Sequence, residues 1–248
     1  MRKHRRMDYV TVRVSTLRGD QKIKFNVYVQ INDKMILYIR DGDSFQGPRL
    51  KRLKEKKLKK LFILNEDESK YRDYLLLNIE KAYDDKSTTD IETRAEIIQG
   101  AQQEHAEEIF ENPENAEAYN LAKDSAAKYV QFLLGHSQAI QSILRIENTD
   151  QSVAHHGVNV STFAVSLGHK LGIIDDKQKQ MLALGGLLHD FGHSVTFFQP
   201  NKLMSEMTND ELTVYKSHPE MGANQILDKK HFDQQIINII MKHEECID

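Results

Sequence analysis

The chain is poor in cysteine, in long apolar runs and in net charge. Its one cysteine, Cys246, excludes an intrachain disulfide and a Cys-rich zinc site, and it fits a reducing cytoplasm. No stretch reaches the roughly 18 continuous apolar residues of a membrane span. The basic start, MRKHRRMDYV, is followed by no apolar core, so it is not a secretory signal. A net charge of −3 argues neither for nor against a nucleic-acid partner. There is no internal repeat and no low-complexity tract. What remains, 40% hydrophobic and 29% charged residues over 248 positions, describes an ordinary globular protein of one large domain or two small ones.

The one informative bias is histidine. Eight of the eleven histidines lie between His155 and His243. The centre of that region is MLALGGLLHDFGH, residues 181–193, an apolar helical run ending in the pair His189-Asp190. A carboxylate among apolar residues costs several kcal/mol unless a cation compensates it. A metal ion is the simplest compensation, and the two oxygens of Asp190 suit a bridge between two ions. Gly185 and Gly186 each cost a helix about 1 kcal/mol against alanine. Close approach of a neighbouring helix is the expected return.

Residues 8–40 alternate with period two in three runs: Val10-Val12-Val14, Ile23 to Ile31, and Met35-Leu37-Ile39. Three half-buried strands are predicted, with a hairpin turn at Asn32-Asp33. The run RLKRLKEKKLKKL places Leu50, Leu53, Leu58 and Leu61 at near-helical spacing. It reads as a solvated helix whose leucines face the sheet, rather than as an anionic contact. It has no interleaved aromatics for stacking nucleic acid. Leu61–Leu64 suits a fourth strand and Tyr71–Tyr83 a helix. Residues 1–85 therefore form a small α+β domain, a size that folds alone. Residues 84–90, DDKSTTD, read as a linker and helix N-cap.

Beyond the linker the pattern is almost wholly helical. Residues 91–110 form one helix, broken at Asn112-Pro113. Residues 114–147 form one long helix or two joined near Gly135, and 86–150 read as connecting helices. Over 151–171 the stripe Val153, His156, Val160, Ala164, Leu167, Leu171 is expected to face inward. That places His156 on the core side, with His155 off it and His169 on the surface. Gly192 is expected to end the helix carrying His189 and Asp190. Pro219 suits a first helical position, which makes His218 an N-cap. In the last helix, His243 extends the stripe Phe232, Ile236, Ile239. Phe197 and Phe198 are candidates for lining a pocket.

The segments HHGVNVSTFAVSLGHKLG, LALGGLLHDFGH, YKSHPEMGANQIL and IINIIMKHEECID, in this order, resemble the HD-GYP branch of the HD-domain metal-dependent phosphohydrolases. The resemblance covers about residues 150–248. It implies an all-helical HD bundle, incomplete at its C-terminus, behind a regulatory α+β domain. It implies two divalent metals, iron or manganese, and hydrolysis of the bacterial messenger cyclic di-GMP in the cytoplasm. By the resemblance His156, His189, Asp190, His218, His243 and Glu244 are metal ligands. Asp190 and His193 are catalytic, and His193 and Lys216 are substrate contacts. His193 stands where the family has a lysine, and its charge is expected to change near neutral pH. Glu244 stands at the family's second histidine. Ser152 stands where trinuclear members carry a glutamate, which favours two metals. These departures keep open a metal-containing module that binds a cyclic dinucleotide without turnover. An HD phosphohydrolase acting on a mononucleotide is a third reading. A protein partner through residues 1–85 and an oligomer are compatible with the sequence; a nucleic-acid polymer is disfavoured.

Overall fold

The structure, a computed structural model, describes residues 8–18, 21–45, 48–56, 58, 60–146, 152–173, 175–196 and 203–245; the side chains of residues 15, 48, 51, 54 and 55 lie outside the description. Cys246 and the Phe197-Phe198 pair are among the residues not described. The chain divides into two compact units, residues 1–100 and 101–248. An antiparallel sheet dominates the first and helices the second, as the sequence pattern predicts.

The first unit holds strands β1 (Tyr9–Arg13), β2 (Val27–Ile31), β3 (Lys34–Ile39) and β4 (Lys60–Leu64), with helices α1 (Pro48–Glu55) and α2 (Glu68–Tyr83). The sheet order is β1-β4-β2-β3, antiparallel throughout. Asn32 and Asp33, at φ 47° and 61°, make the hairpin turn between β2 and β3; Asn and Asp tolerate this left-handed backbone better than bulkier residues. Ile23, Phe25, Val27, Leu61 and Ile63 are fully buried. Tyr71 and Tyr74 of α2 meet Phe25 edge-on at 5.6 and 5.7 Å, which holds the helix on the sheet. Leu53 of α1 is buried in the same core, with Leu50 and Leu58 packed against it; the basic run is helical only to Glu55, and its last leucine, Leu61, lies in β4.

Two expectations for the sheet fail. Ile23 and Phe25 are buried but precede the strand, which begins at Val27. Leu37 does not face inward with Ile39. The register shifts at Val27/Tyr28, so Val27 pairs Ile39 while Tyr28 pairs Leu37, and the extra residue turns Leu37 outward to 40% exposure.

The helix α3 (Ile91–Glu111) spans the boundary between the units. The second unit continues with α4 (Ala116–Gly135), α5 (Ala139–Leu144), α6 (Val153–Lys170), α7 (Asp176–Leu188), α8 (Gly192–Thr196), α9 (Asn209–Ile226) and α10 (Gln234–Lys242). Residues 114–147 are thus two helices parted after Gly135. Tyr129 of α4 and Thr162 of α6 share a hydrogen bond of 2.6 Å. Tyr119 and Lys123 of α4 both donate to Asp233, the residue preceding α10, at 2.7–2.9 Å. No described helix is long and apolar enough to cross a membrane.

The glycine pair does what its cost implied. A Cβ on Gly186 would lie 2.7 Å from the Ser161 Cα, and one on Gly185 would lie 2.4 Å from an Ile239 methyl. Gly186 therefore lets α7 and α6 touch backbone to backbone, and Gly185 admits a flexible side chain of α10. Gly186→Ala is expected to cost about 1–3 kcal/mol of stability, the usual range for overpacking. Urea unfolding of the variant checks this, and an unchanged midpoint would show that the two helices can part freely.

Candidate metal centre

The site begins where α7 stops. His189 caps its C-terminus, and a turn carries Asp190 into the interior with its side chain 13% exposed. Gly192 does not simply end a helix, as the sequence suggested. It opens the short helix α8, because a Cβ there would lie 1.8 Å from the His218 carbonyl oxygen. The glycine brings α8 against α9 and so sets the turn holding Asp190 beside His218.

Five histidines surround that carboxylate. Asp190 Oδ2 faces His189 Nε2 at 3.3 Å and His156 Nε2 at 3.8 Å. Oδ1 faces His243 Nε2 at 3.3 Å, His218 Nε2 at 3.4 Å and His193 Nε2 at 3.9 Å. Two groups with metal-ligand reach result, His156-His189-Asp190 and Asp190-His218-His243, each with its ligand atoms within 4.8 Å of one another. Asp190 belongs to both.

The backbone decides which nitrogen points inward. Nδ1 of His189 lies 2.8 Å from the Gly186 carbonyl, that of His218 2.5 Å from the Tyr215 carbonyl, and that of His243 2.9 Å from the Ile240 carbonyl. A carbonyl only accepts, so each Nδ1 carries the proton and donates it. Each ring then turns its Nε2 toward Asp190. His218 and His243 bring their Nε2 atoms within 2.9 Å of each other, beside Asp190 Oδ1. Two ring nitrogens and a carboxylate oxygen do not converge in this way without a proton or a cation between them. The donor set, imidazole nitrogen and carboxylate oxygen, fits a divalent transition metal.

Charge follows the same geometry. Burial works against ionising Asp190, but hydrogen bonds from His189, His218 and His243 prevail and hold its carboxyl well below the usual range. Burial also opposes protonation of His243. Its bonds to Asp190 and the Ile240 carbonyl, with the Asp190 and Glu244 charges, outweigh that and raise it. His156 is lowered by burial despite Asp190.

Pro219 and His218 form one device. The sequence made His218 an N-cap, but α9 runs through both residues, and His218 is fully buried in mid-helix. Thr208 is the cap instead, in a reciprocal box with Glu211. An internal proline has no N–H to give to the carbonyl four residues back, a loss of about 3 kcal/mol in an ordinary helix. That carbonyl belongs to Tyr215. It accepts the His218 Nδ1 proton instead, which aims Nε2 at Asp190.

His156 reaches the site for a reason opposite to the expected one. The buried positions of α6 are Ala154, His155, Gly157, Val158, Ser161, Thr162, Val165 and Gly168. His155 is 4% exposed, while the His156 side chain is 55% exposed and Leu167 and Leu171 face out. The inward stripe is thus rotated by about one residue, roughly 100°. His156 lies at the rim and reaches Asp190 from there. His169 is exposed, as expected, and Ser152 caps α6 by accepting the His155 N–H.

His193, Glu244 and Lys216 have different surroundings. His193 has a side chain only 3% exposed and stacks on His218 at 3.9 Å and 19°. Burial and the neighbouring His218 push it from the ordinary histidine value of 6.5 down to about 4, so its charge does not change near neutral pH. Glu244 is exposed and belongs to neither ligand group; its Oε1 accepts from the Tyr215 hydroxyl at 3.0 Å. Lys216 is exposed on α9. The residue the sequence reading missed is Tyr215. Its ring lies 5.7 Å from His193 and 5.3 Å from His218, and burial with the Glu244 bond pushes its hydroxyl up to about 12. Its position three residues before His218, on the same helix face, was the available signal.

The HD domain family model matches residues 153–248, the stretch that supplies every ligand above. The solved structure of Bd1817, a HDG"Y"P protein from Bdellovibrio bacteriovorus, is similar with a TM-score of 0.87 and 58% identity. The likeness covers 96% of this chain and 78% of that one. The chain belongs to the HD-GYP family. The Pseudomonas aeruginosa protein named cyclic di-GMP phosphodiesterase PA4108 is 26% identical over 138 residues, 54% of this chain; the match spans only 31% of that relative's length.

Pro219→Ala restores an N–H that competes for the Tyr215 carbonyl. The variant is expected to gain thermal stability without metal and to bind Mn²⁺ several-fold more weakly, by calorimetry. Unchanged affinity would separate the proline from the ligand geometry. Between pH 6.5 and about 4 the unfolded chain binds a proton that folded His193 refuses, so the stability of the chelator-treated protein falls as pH falls through this window. His193→Asn is expected to flatten that slope in urea unfolding at pH 7.5 and pH 5; equal slopes would mean that His193 protonates freely when folded.

Proposed function

We propose that the protein is a metal-dependent phosphodiesterase of the HD-GYP type that hydrolyses cyclic di-GMP in the bacterial cytoplasm, with residues 1–85 as its regulatory part. The observation that carries this reading is Asp190, whose two oxygens each face a separate set of imidazoles. His156 and His189 would hold one divalent ion and His218 and His243 a second, with Asp190 between them; iron and manganese suit these ligands. Bound metals would lower the pKa of water and neutralise charge on the phosphodiester.

The protein's own groups do the rest. Asp190, held well below the usual carboxylate range, keeps the shared anion of the centre. His189, His218 and His243 hold their Nδ1 protons on backbone carbonyls, which fixes the rings before any ligand arrives. His156, at the exposed rim, leaves one side of the centre open to a ligand. His193, neutral and buried, is placed to exchange a hydrogen bond rather than a charge with the substrate phosphate. Lys216 is retained as a candidate for the outer part of the substrate.

His193 also supports a second reading, a module that binds a cyclic dinucleotide without turnover, because a neutral ring cannot neutralise a phosphate as a lysine does.

Full-length protein loaded with Mn²⁺ or anaerobically with Fe²⁺ should convert cyclic di-GMP to a linear product seen by chromatography. Disturbing groups behind the ligands of a metal site costs about 10–100-fold. Asp190→Asn, which removes the shared anion, is therefore expected to cost more than about 100-fold in turnover and to lower the metal counted per chain. Metal and cyclic di-GMP bound tightly with no product would select the second reading. No metal bound under either condition would sink both.

A further inference from the structure

Residues 1–100 contain a cavity of about 370 Å³, lined by residues of that unit alone. It opens between the last turns of α2, the segment leading to α3, and the loop that follows the short 3-10 turn Val14–Thr16. The volume is at the small end of the range for small-molecule sites, about 300–1,000 Å³.

The polar groups around it are mainly donors. Arg18, Lys81 and Lys86 bring three positive charges, against one lining carboxylate, Asp84. Asp84 is already engaged, accepting the Lys86 N–H at 2.9 Å. Ser87 Oγ accepts the Thr89 N–H at 3.3 Å, which leaves its hydroxyl proton to give. Nearby, Asp90 is occupied in capping α3. It accepts both the N–H and the hydroxyl of Thr93 at 2.8 Å; those two bonds hold its carboxyl low, and the Arg18 charge adds to them.

Asn78 distinguishes the cavity from a patch of surface lysines. It is 2% exposed and lines the cavity, and its amide nitrogen has no hydrogen-bond partner among the described residues. A buried donor left unpaired costs about 1–3 kcal/mol, so native structures seldom keep one without a use. Around the cavity, cationic side chains outnumber the one lining carboxylate, and that carboxylate is already engaged. A phosphate group supplies only acceptors with negative charge, and lysines serve it as point charges.

We propose that this cavity binds a small phosphate-bearing anion, either inorganic phosphate or a phosphomonoester, with Asn78 and Ser87 as directional donors and Lys81 and Lys86 as the charge. The site is separate from the metal centre in sequence and in chemistry, and it gives the N-terminal unit a ligand of its own.

The test is calorimetry on the full chain, treated with chelator and at low salt. Inorganic phosphate and 5′-GMP are titrated in separate arms. Saturable binding of one equivalent is expected. Tighter binding of 5′-GMP would assign the ligand to the phosphomonoesters, and equal or tighter binding of phosphate to the free ion. The Lys81→Glu/Lys86→Glu double variant changes two exposed side chains and is expected to weaken binding at least tenfold. Asn78→Leu is expected to weaken binding while raising the unfolding temperature, because it removes the unpaired donor; a merely structural asparagine would lower that temperature. Asp190→Asn should leave the binding unchanged. Absence of saturable binding at millimolar concentrations, binding that survives the double charge reversal, or binding abolished by Asp190→Asn would each overturn the proposal.

Discussion

One buried carboxylate sets the terms for the second unit. Asp190 would be expensive in an apolar helical core, and its neighbours are imidazoles with their Nε2 atoms turned toward it. Protons satisfy this arrangement only in part, because at each of three rings the Nδ1 proton is already committed to a carbonyl. The unmet requirement is for positive charge at the points where nitrogen and oxygen converge. An electrostatic deficit of this kind is what a metal centre looks like from the protein's side.

The helices approach closely because that deficit must be enclosed by several of them at once. Gly186 lets α7 lie on α6, and Gly192 lets α8 lie on α9; in each case a single methyl group would collide with backbone. Each contact places a ligand-bearing segment within reach of Asp190. Pro219 adds a different kind of economy. It weakens α9 as a helix, and the carbonyl it leaves without a backbone partner becomes the one that orients His218. Both features disfavour the local helix, and both serve the site. The places where a sequence breaks its local rules are where function is commonly found.

The N-terminal unit follows ordinary rules over most of its length. Most of its alternating apolar residues are buried or partly buried, Ile31 and Leu37 excepted, its Asn-Asp turn is a hairpin, and the leucines of its basic helix face the core. The irregularities are local. A bulge turns Leu37 out, and a cavity gathers donors around Asn78. The bulge depends on how two strands settle against each other, and the cavity on residues separated by some sixty positions, so neither leaves a periodic trace in the chain.

Residue chemistry and short motifs determined much by themselves. The crowding of histidines, the His189-Asp190 pair, the costly glycines and the division into sheet and helices were all legible, because each is a property of neighbouring residues. Tertiary structure alone decided which side of each helix faces the site. The apolar stripe of α6 was misassigned by about one residue, since Phe163, Leu167 and Leu171 are apolar yet exposed and periodicity cannot tell a core face from an uncovered one. The family resemblance placed His193 near neutral pH and Glu244 among the ligands. Burial against His218 makes the first a neutral ring, and the Tyr215 hydroxyl engages the second. Both outcomes depend on contacts between helices brought together from distant parts of the chain, and no spacing along the chain encodes them.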